Sequence, residues 1–258
     1  MTGDPEDDPV FETEAVFDPE EYLHFYADRV APERSEREAG FVAGALDLSA
    51  GDRVLDVPCG HGRISNPLAE RGIEVAGIDA TEGFLDRARA DARERGVADR
   101  VEYVHGDMRH LPWPADSFDA AYNAFTSFGY FDDAGNRRVL AEAARVLEPG
   151  GRLLVDVNNH DAVMADFEET SVLEVDGDYM VDRREYDPRT GRITTGRLTV
   201  RDGRTREATF SVRSYTYPEL AARFGDAGFD VVAEYGSLEG DDYSLSAGRT
   251  VLVGELRS

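Results

Sequence analysis

No lysine occurs anywhere in the 258 residues, so all 28 basic side chains are arginine, set against 53 aspartates and glutamates for a formal net charge of -25. So one-sided a balance argues against nucleic acid and anionic membrane surfaces as partners, because self-repulsion and like-charge repulsion act over the whole exterior. Acid-rich, lysine-free surfaces resemble those of proteins from salt-loving organisms, where molar salt shortens the Debye length to about 3 Å. On that reading the charge reports the milieu more than the partner. Cysteine is nearly absent too. Cys59 stands alone, which excludes an intramolecular disulfide, excludes thiolate metal clusters and fits a reducing cytosol. With no base assignable beside it, Cys59 reads as a small buried filler. Also missing are a charged-then-apolar leader and any apolar run near the roughly 18 to 20 residues that a bilayer crossing needs. The expectation is a cytoplasmic protein without a membrane partner.

What is present is a rhythm of strands and helices. The acidic stretch 1–20, punctuated by Pro5, Pro9 and Pro19, carries too little apolar content to pack by itself and reads as a mobile arm. Helical spacing follows over 21–46. Strands are expected at 53–57, 74–78, 100–104, 118–122 and 152–157, with helices ending at Gly72, spanning 82–95 and spanning 135–147. Repeated units of this kind call for an α/β fold with a mainly parallel, doubly wound sheet covered on both faces. After Asn159 the rhythm breaks. Short alternating runs at 171–175, 178–186, 191–200 and 207–215, with turn signals at Asp176-Gly177, Asp187-Pro188 and Asp202-Gly203, predict an antiparallel meander inserted as a cap. Thr216-Tyr217-Pro218-Glu219 is a capping box that opens a last helix, and 229–234 and 250–256 form a closing antiparallel pair. The division implied is an arm at 1–20, a core at 21–160, a cap at 161–215 and the end of the core at 216–258.

The most informative run is Val54-Leu55-Asp56-Val57-Pro58-Cys59-Gly60-His61-Gly62-Arg63, an apolar strand that ends in an acid and a tight turn with glycines two apart. Such a turn lets backbone approach a nucleotide-like ligand. A carboxylate ahead of the glycines would repel a pyrophosphate and attract a cationic amino group, which favours a sulfonium nucleoside with an aminoacyl tail over a dinucleotide. In open sheets ligands bind at the carboxyl ends of strands, and acids recur there: Asp56, then Asp79 followed by Ala80, then Asp107 followed by Met108, with Asn123 after the fourth strand. Asp79 suits a pair of ribose hydroxyls. Asp107 can accept from an adenine amine while Met108 packs on the ring, and Asp56 with nearby carbonyls can take an ammonium. The tail's carboxylate falls to Arg34, Arg37 or Arg63, a choice that the sequence leaves open.

In this order the motifs resemble those of the class I S-adenosylmethionine-dependent methyltransferases. The run 54–62 is similar to that family's first motif, Gly77-Ile78-Asp79 to its ribose acid, Gly106-Asp107-Met108 to its adenine step and 147–154 to its turn and fifth strand. Pro58 stands where a glycine is more usual, and Asn123-Ala124-Phe125 is not the Asn-Pro-Pro-aromatic motif of many nucleobase methyltransferases, which speaks against a nucleic acid acceptor. The resemblance implies a Rossmann-like sheet of seven strands with the last antiparallel, S-adenosyl-L-methionine as cofactor, and transfer of methyl to an O or N atom of a small molecule. It implies a cofactor site drawn from Asp56, Pro58, Gly60, His61, Gly62, Arg63, Asp79, Ala80, Asp107, Met108, Asn123 and Tyr26. Tyr22 and Tyr26 are candidates for a lid, and Phe125, Phe128, Tyr130 and Phe131 for an acceptor pocket.

His61, Tyr130, His160 and Tyr186 are the side chains whose chemistry suits deprotonating an acceptor, although turn, loop and packing roles account for each. No metal is expected, since the histidines and acids lack ligand spacing. A homodimer is a compatible assembly. Two other readings share these motifs. A noncatalytic S-adenosylmethionine-binding regulator would use the meander as an interface, and a nicotinamide-dependent oxidoreductase would share Gly60, Gly62 and Asp79, but has Ser65 where its fingerprint wants a third glycine.

Overall fold

The computed structural model describes residues 16–258. Most of the acidic stretch read as an arm lies outside them. Within them, Val16 is buried and the Asp18 carboxylate accepts from the backbone N–H groups of Glu20 and Glu21, capping α1 (Pro19–Phe25). A short 3-10 turn leads to α2 (Pro32–Ala45), whose inward stripe is Ser35, Glu38, Ala39 and Val42.

The core follows as β1 (Arg53–Asp56), α3 (Ser65–Glu70), β2 (Glu74–Asp79), α4 (Glu82–Glu94), β3 (Val101–His105), β4 (Phe118–Asn123), α5 (Asp133–Val146) and β5 (Leu147–Asn158). It closes with α7 (Tyr217–Asp226), β10 (Phe229–Tyr235) and β11 (Arg249–Leu256), after α6 (His160–Ala165) and the cap strands β6 (Thr170–Val175), β7 (Asp178–Asp187), β8 (Arg192–Arg201) and β9 (Arg204–Arg213). The large sheet runs β10-β11-β5-β4-β1-β2-β3 over seven strands. β1 to β5 pair in parallel, and β11 is antiparallel to both β5 and β10. This is the doubly wound Rossmann-like sheet that the sequence implies, with the cap as a separate antiparallel sheet β6-β7-β8-β9.

Helices cover both faces over two apolar clusters, one holding Val42, Leu68 and Leu85, the other Trp113, Leu140 and Phe224. The chain winds outward from β1 through β2 to β3, then returns to place β4 on the other side of β1. That reversal opens a crevice at the carboxyl ends of β1 and β4. The site is built there.

Three elements differ from expectation. β5 starts at Leu147, paired with Phe118, and the register shifts before Ala120 pairs with Arg152, so the Pro149-Gly150-Gly151 segment is an irregularity within a strand. β9 starts at Arg204, because Asp202 and Gly203 at φ 50° and 72° make a two-residue turn that keeps Arg201 paired with Arg204. His160, expected in a loop, begins helix α6, where Asn159 caps the turn by accepting from Asp161 N–H. Among the described residues no helix is long and apolar enough to cross a membrane.

Candidate functional site

The crevice widens into a cavity of about 1060 Å³ between the strand ends of the large sheet and the cap. Its floor is the turn after β1. Gly60 has φ 52° and open space where a Cβ would stand, and it lines the cavity. Gly62, at φ 77°, points the other way: a Cβ there would come 2.7 Å from the Tyr103 hydroxyl and 3.0 Å from the Ala88 methyl, and the residue does not line the cavity. Only the first glycine is bare toward a ligand; the second is bare toward the core.

Asp79 ends β2 and ties this floor together, its two oxygens accepting from Gly60 N–H and Thr81 N–H, each at 2.8 Å. Burial raises its pKa against the pull of those bonds. The Thr81 side chain adds a further bond to the same carboxylate, and Asp79 and Ala80 both line the cavity.

Asp56 ends β1 wholly inside the protein. Ser65, on the first turn of α3, donates to it at 2.5 Å and lies 3.2 Å from the Tyr122 hydroxyl. Burial pushes the Asp56 carboxyl up to about 7, with Ser65, Tyr122 and Arg63 opposing. Arg63 lines the cavity, while Arg34 and Arg37 do not. Its Nη1 donates to the buried Glu38 and its guanidinium lies 5.0 Å over the Phe125 ring. Its Nη2 is buried with no hydrogen-bond partner. A buried acid and a cation with a free donor thus share one end of the cavity.

At the other end, the Asp107 carboxylate accepts from the backbone N–H, Nε and Nη2 of Arg109. Burial raises Asp107, but these bonds outweigh it and hold the carboxyl below its usual range. Met108 lines the wall beside it. Asn123 does not reach the cavity; its Nδ2 donates to the Val57 carbonyl at 2.6 Å and braces the turn from behind.

The roof is α1 and the cap. Tyr22 packs on Tyr26, His61, Phe84 and Phe125, so α1 lies across the floor turn. The Tyr26 hydroxyl accepts from Arg197 at 3.0 Å, and Arg197 is itself held by Asp182 at 2.7 and 2.9 Å. Burial lowers the His61 ring to about 4, with Arg63 acting in the same direction. Tyr130 lines the cavity, and burial raises its hydroxyl. His160 and Tyr186 do not line it: their rings pack at 5.8 Å and the His160 Nδ1 lies 3.1 Å from the Ser214 hydroxyl. Of the aromatic run, Phe125, Tyr130 and Phe131 face the cavity, while Phe128 is a core residue stacked on Tyr215.

Several contributors carry no motif. Ser65, Glu38, Asp182 and Arg197 are polar residues whose roles come from meetings between elements: Ser65 lies against Tyr122, Glu38 against Arg63, and Asp182 holds the Arg197 that reaches Tyr26. Asp156 is similar: fully buried, it accepts from Arg249 at 2.7 and 2.8 Å and from Phe125 N–H at 2.7 Å, fixing the loop after β4. The one sequence signal available was an acid or arginine placed on an otherwise inward stripe. Among the described residues no group of three or more histidines, cysteines or acids is arranged to hold a metal ion.

Residues 54–151 match a family model described as a methyltransferase domain. The chain is 40% identical over 124 residues to methyltransferase GfsG of Streptomyces halstedii, covering 48% of this chain and 44% of that protein. It is 39% identical over 122 residues to a 27-O-demethylrifamycin SV methyltransferase of Amycolatopsis mediterranei, covering 47% and 44%. These matches span less than half of each relative's length. The solved structure of the CcbJ methyltransferase from Streptomyces caelestis superposes with a TM-score of 0.79 at 23% identity, covering 92% of this chain and 98% of that one. The family match identifies residues 54–151 as a methyltransferase domain, and the strand order with the likeness to the solved structure shows that its Rossmann-like fold continues through the chain beyond it.

Proposed function

We propose that the protein transfers a methyl group from S-adenosylmethionine to an O or N atom of a small-molecule acceptor held between the strand ends and the cap. The observation that carries the reading is the pairing at one end of the cavity. Asp56 and Arg63 both line it, with Arg63 acting electrostatically on Asp56; the one offers acceptor oxygens and the other is a cation with an unused buried donor, which matches an amino acid's ammonium and carboxylate. Asp79 fits the ribose hydroxyls, and Asp107 with Met108 fits an adenine edge. Open space over Gly60 leaves room for the nucleoside.

When bound, the cofactor supplies a methyl group made electrophilic by its sulfonium. The chain's task is then to orient an acceptor within about 3 to 3.5 Å of it and to exclude water. Phe125, Tyr130, Phe131 and the cap residue Phe210 supply an apolar wall, and Tyr22 and Tyr26 close the roof. His61 is neutral at physiological pH and can accept a proton through a water; Tyr130 is a donor in that range. The composition supports a saline, reducing cytoplasm and speaks against nucleic acid as acceptor.

Incubation with methyl-labelled S-adenosylmethionine and a metabolite extract in molar KCl tests the reading. Label in a small-molecule fraction is expected. Tight cofactor binding with no transfer to any extract would favour a noncatalytic binding protein, and preferential binding of NAD would favour an oxidoreductase.

A further inference from the structure

We infer that Glu38, a residue outside every motif of the domain, is the positioning residue that aims Arg63 at the carboxylate of the cofactor's amino-acid tail. The inference rests on the functional reading above and extends it to α2. Glu38 sits on the inward stripe of α2 between Ser35, Ala39 and Val42, and its side chain is 1% exposed. A carboxylate buried on such a stripe is costly unless cations meet it. Two do: Arg34 Nε donates to Oε1 at 2.7 Å, and Arg63 Nη1 donates to Oε2. One negative charge is thereby shared by two positive ones, which leaves net positive charge at the spot.

The geometry of the guanidinium carries the rest. Its five N–H groups lie in one rigid plane, so fixing Nη1 against Glu38 while Phe125 covers the ring-like face leaves little freedom for the remaining edge. That edge carries Nη2, buried and without a partner, on a side chain 9% exposed that lines the cavity. Arg63 also acts electrostatically on Asp56, His61 and Tyr22, which places it among the groups at the tail end of the site. A free ligand carboxylate beside an ammonium satisfies Nη2 and Asp56 together. Were Glu38 only a brace between α2 and the turn after β1, the Nη2 donor would have no reason to stay unpaired.

Calorimetry with two nucleosides tests this. S-adenosylhomocysteine has the amino-acid tail; 5′-methylthioadenosine has the same thionucleoside without it. The wild type is expected to bind the first at least about tenfold more tightly. In Glu38→Gln the affinity for S-adenosylhomocysteine should fall about ten- to a hundredfold, the scale of a charged hydrogen bond, while that for 5′-methylthioadenosine stays within about twofold. Arg63→Gln should show the same selective loss, and the double variant should be no worse than Arg63→Gln alone, because Glu38 acts only through Arg63. If Glu38→Gln does not fold, Glu38→Asp, which keeps the charge and withdraws it by one methylene, should give the same selective loss. Equal weakening of both nucleosides, no weakening, or additive losses would overturn the role of Glu38 and leave the methyltransferase reading standing. A wild type that binds neither nucleoside would overturn both.

Discussion

Asp79 illustrates how one side chain can serve both fold and the proposed function, since the same carboxylate that organises the turn through Gly60 and Thr81 also lines the cavity. Asp79→Ala should weaken S-adenosylmethionine binding by roughly 1.5 to 3 kcal/mol, measured by calorimetry; unchanged affinity would remove it from the ribose site. Asp56 and His61 make a second residue-level claim, about pH. Burial raises Asp56 from 3.8 to about 7, so between those values the folded chain holds a proton that the unfolded chain releases, and stability falls as pH rises through that window. His61, lowered from 6.5 to about 4, has the opposite sign: the unfolded ring takes up the proton first, and stability is lost as pH falls from 6.5 toward 4. In cofactor-free protein, Asp56→Asn should therefore gain stability relative to wild type as pH is raised from about 4 to about 7, read by urea unfolding. Parallel profiles would contradict the buried, protonated Asp56. The sequence placed both residues at the strand end and in the turn, but their titration follows from burial, which the motif does not encode.

The turn and the cap carry the predictions at the level of elements. Gly62→Ala should cost about 1 to 3 kcal/mol of stability, from left-handed backbone and the crowding at Tyr103 and Ala88. Gly60→Ala, with open space around it, should cost stability only through its backbone, about 1 to 2 kcal/mol, and should weaken cofactor binding more than Gly62→Ala does; the reverse ordering would contradict the assignment of the two faces. In the cap, Arg197→Ala removes the bidentate partner of Asp182, which is 6% exposed and keeps Arg184 at 3.0 Å, and takes a donor from Tyr26, so a loss of about 1.5 to 3 kcal/mol is expected on unfolding. Most elements were legible. Apolar β-branched runs marked the parallel strands, Asp176-Gly177 and Asp202-Gly203 marked two hairpins of the cap, and Thr216 with Glu219 marked the start of α7. What escaped was fixed by tertiary contact. Helix α6 has only six residues and is held by Asn159, whose side chain also donates to carbonyls of Ser244 and Ala247, and Glu38 meets Arg63 from 25 positions away.

For the molecule as a whole, the strand order and the acids along one rim followed from local patterns repeated in the right order, so the part of the cavity proposed for the cofactor has motifs and the part proposed for the acceptor has none. That second part is lined by the cap, α1 and the loop after β4, where single side chains on regular strands leave no motif. Charge is the other global property. With 53 acids against 28 arginines, the unfolding temperature should rise between about 0.1 M and 2 M KCl as screening reduces self-repulsion; a fall or no change would contradict the saline reading. The central claim is that the rim formed by Asp56, Gly60, Arg63 and Asp79 receives a sulfonium nucleoside, and calorimetric titration of the unliganded protein in molar KCl with S-adenosylmethionine, S-adenosylhomocysteine and NAD addresses it most directly. The account predicts one site for the first two and none for NAD, whereas binding of NAD, or of no nucleoside at all, would contradict it.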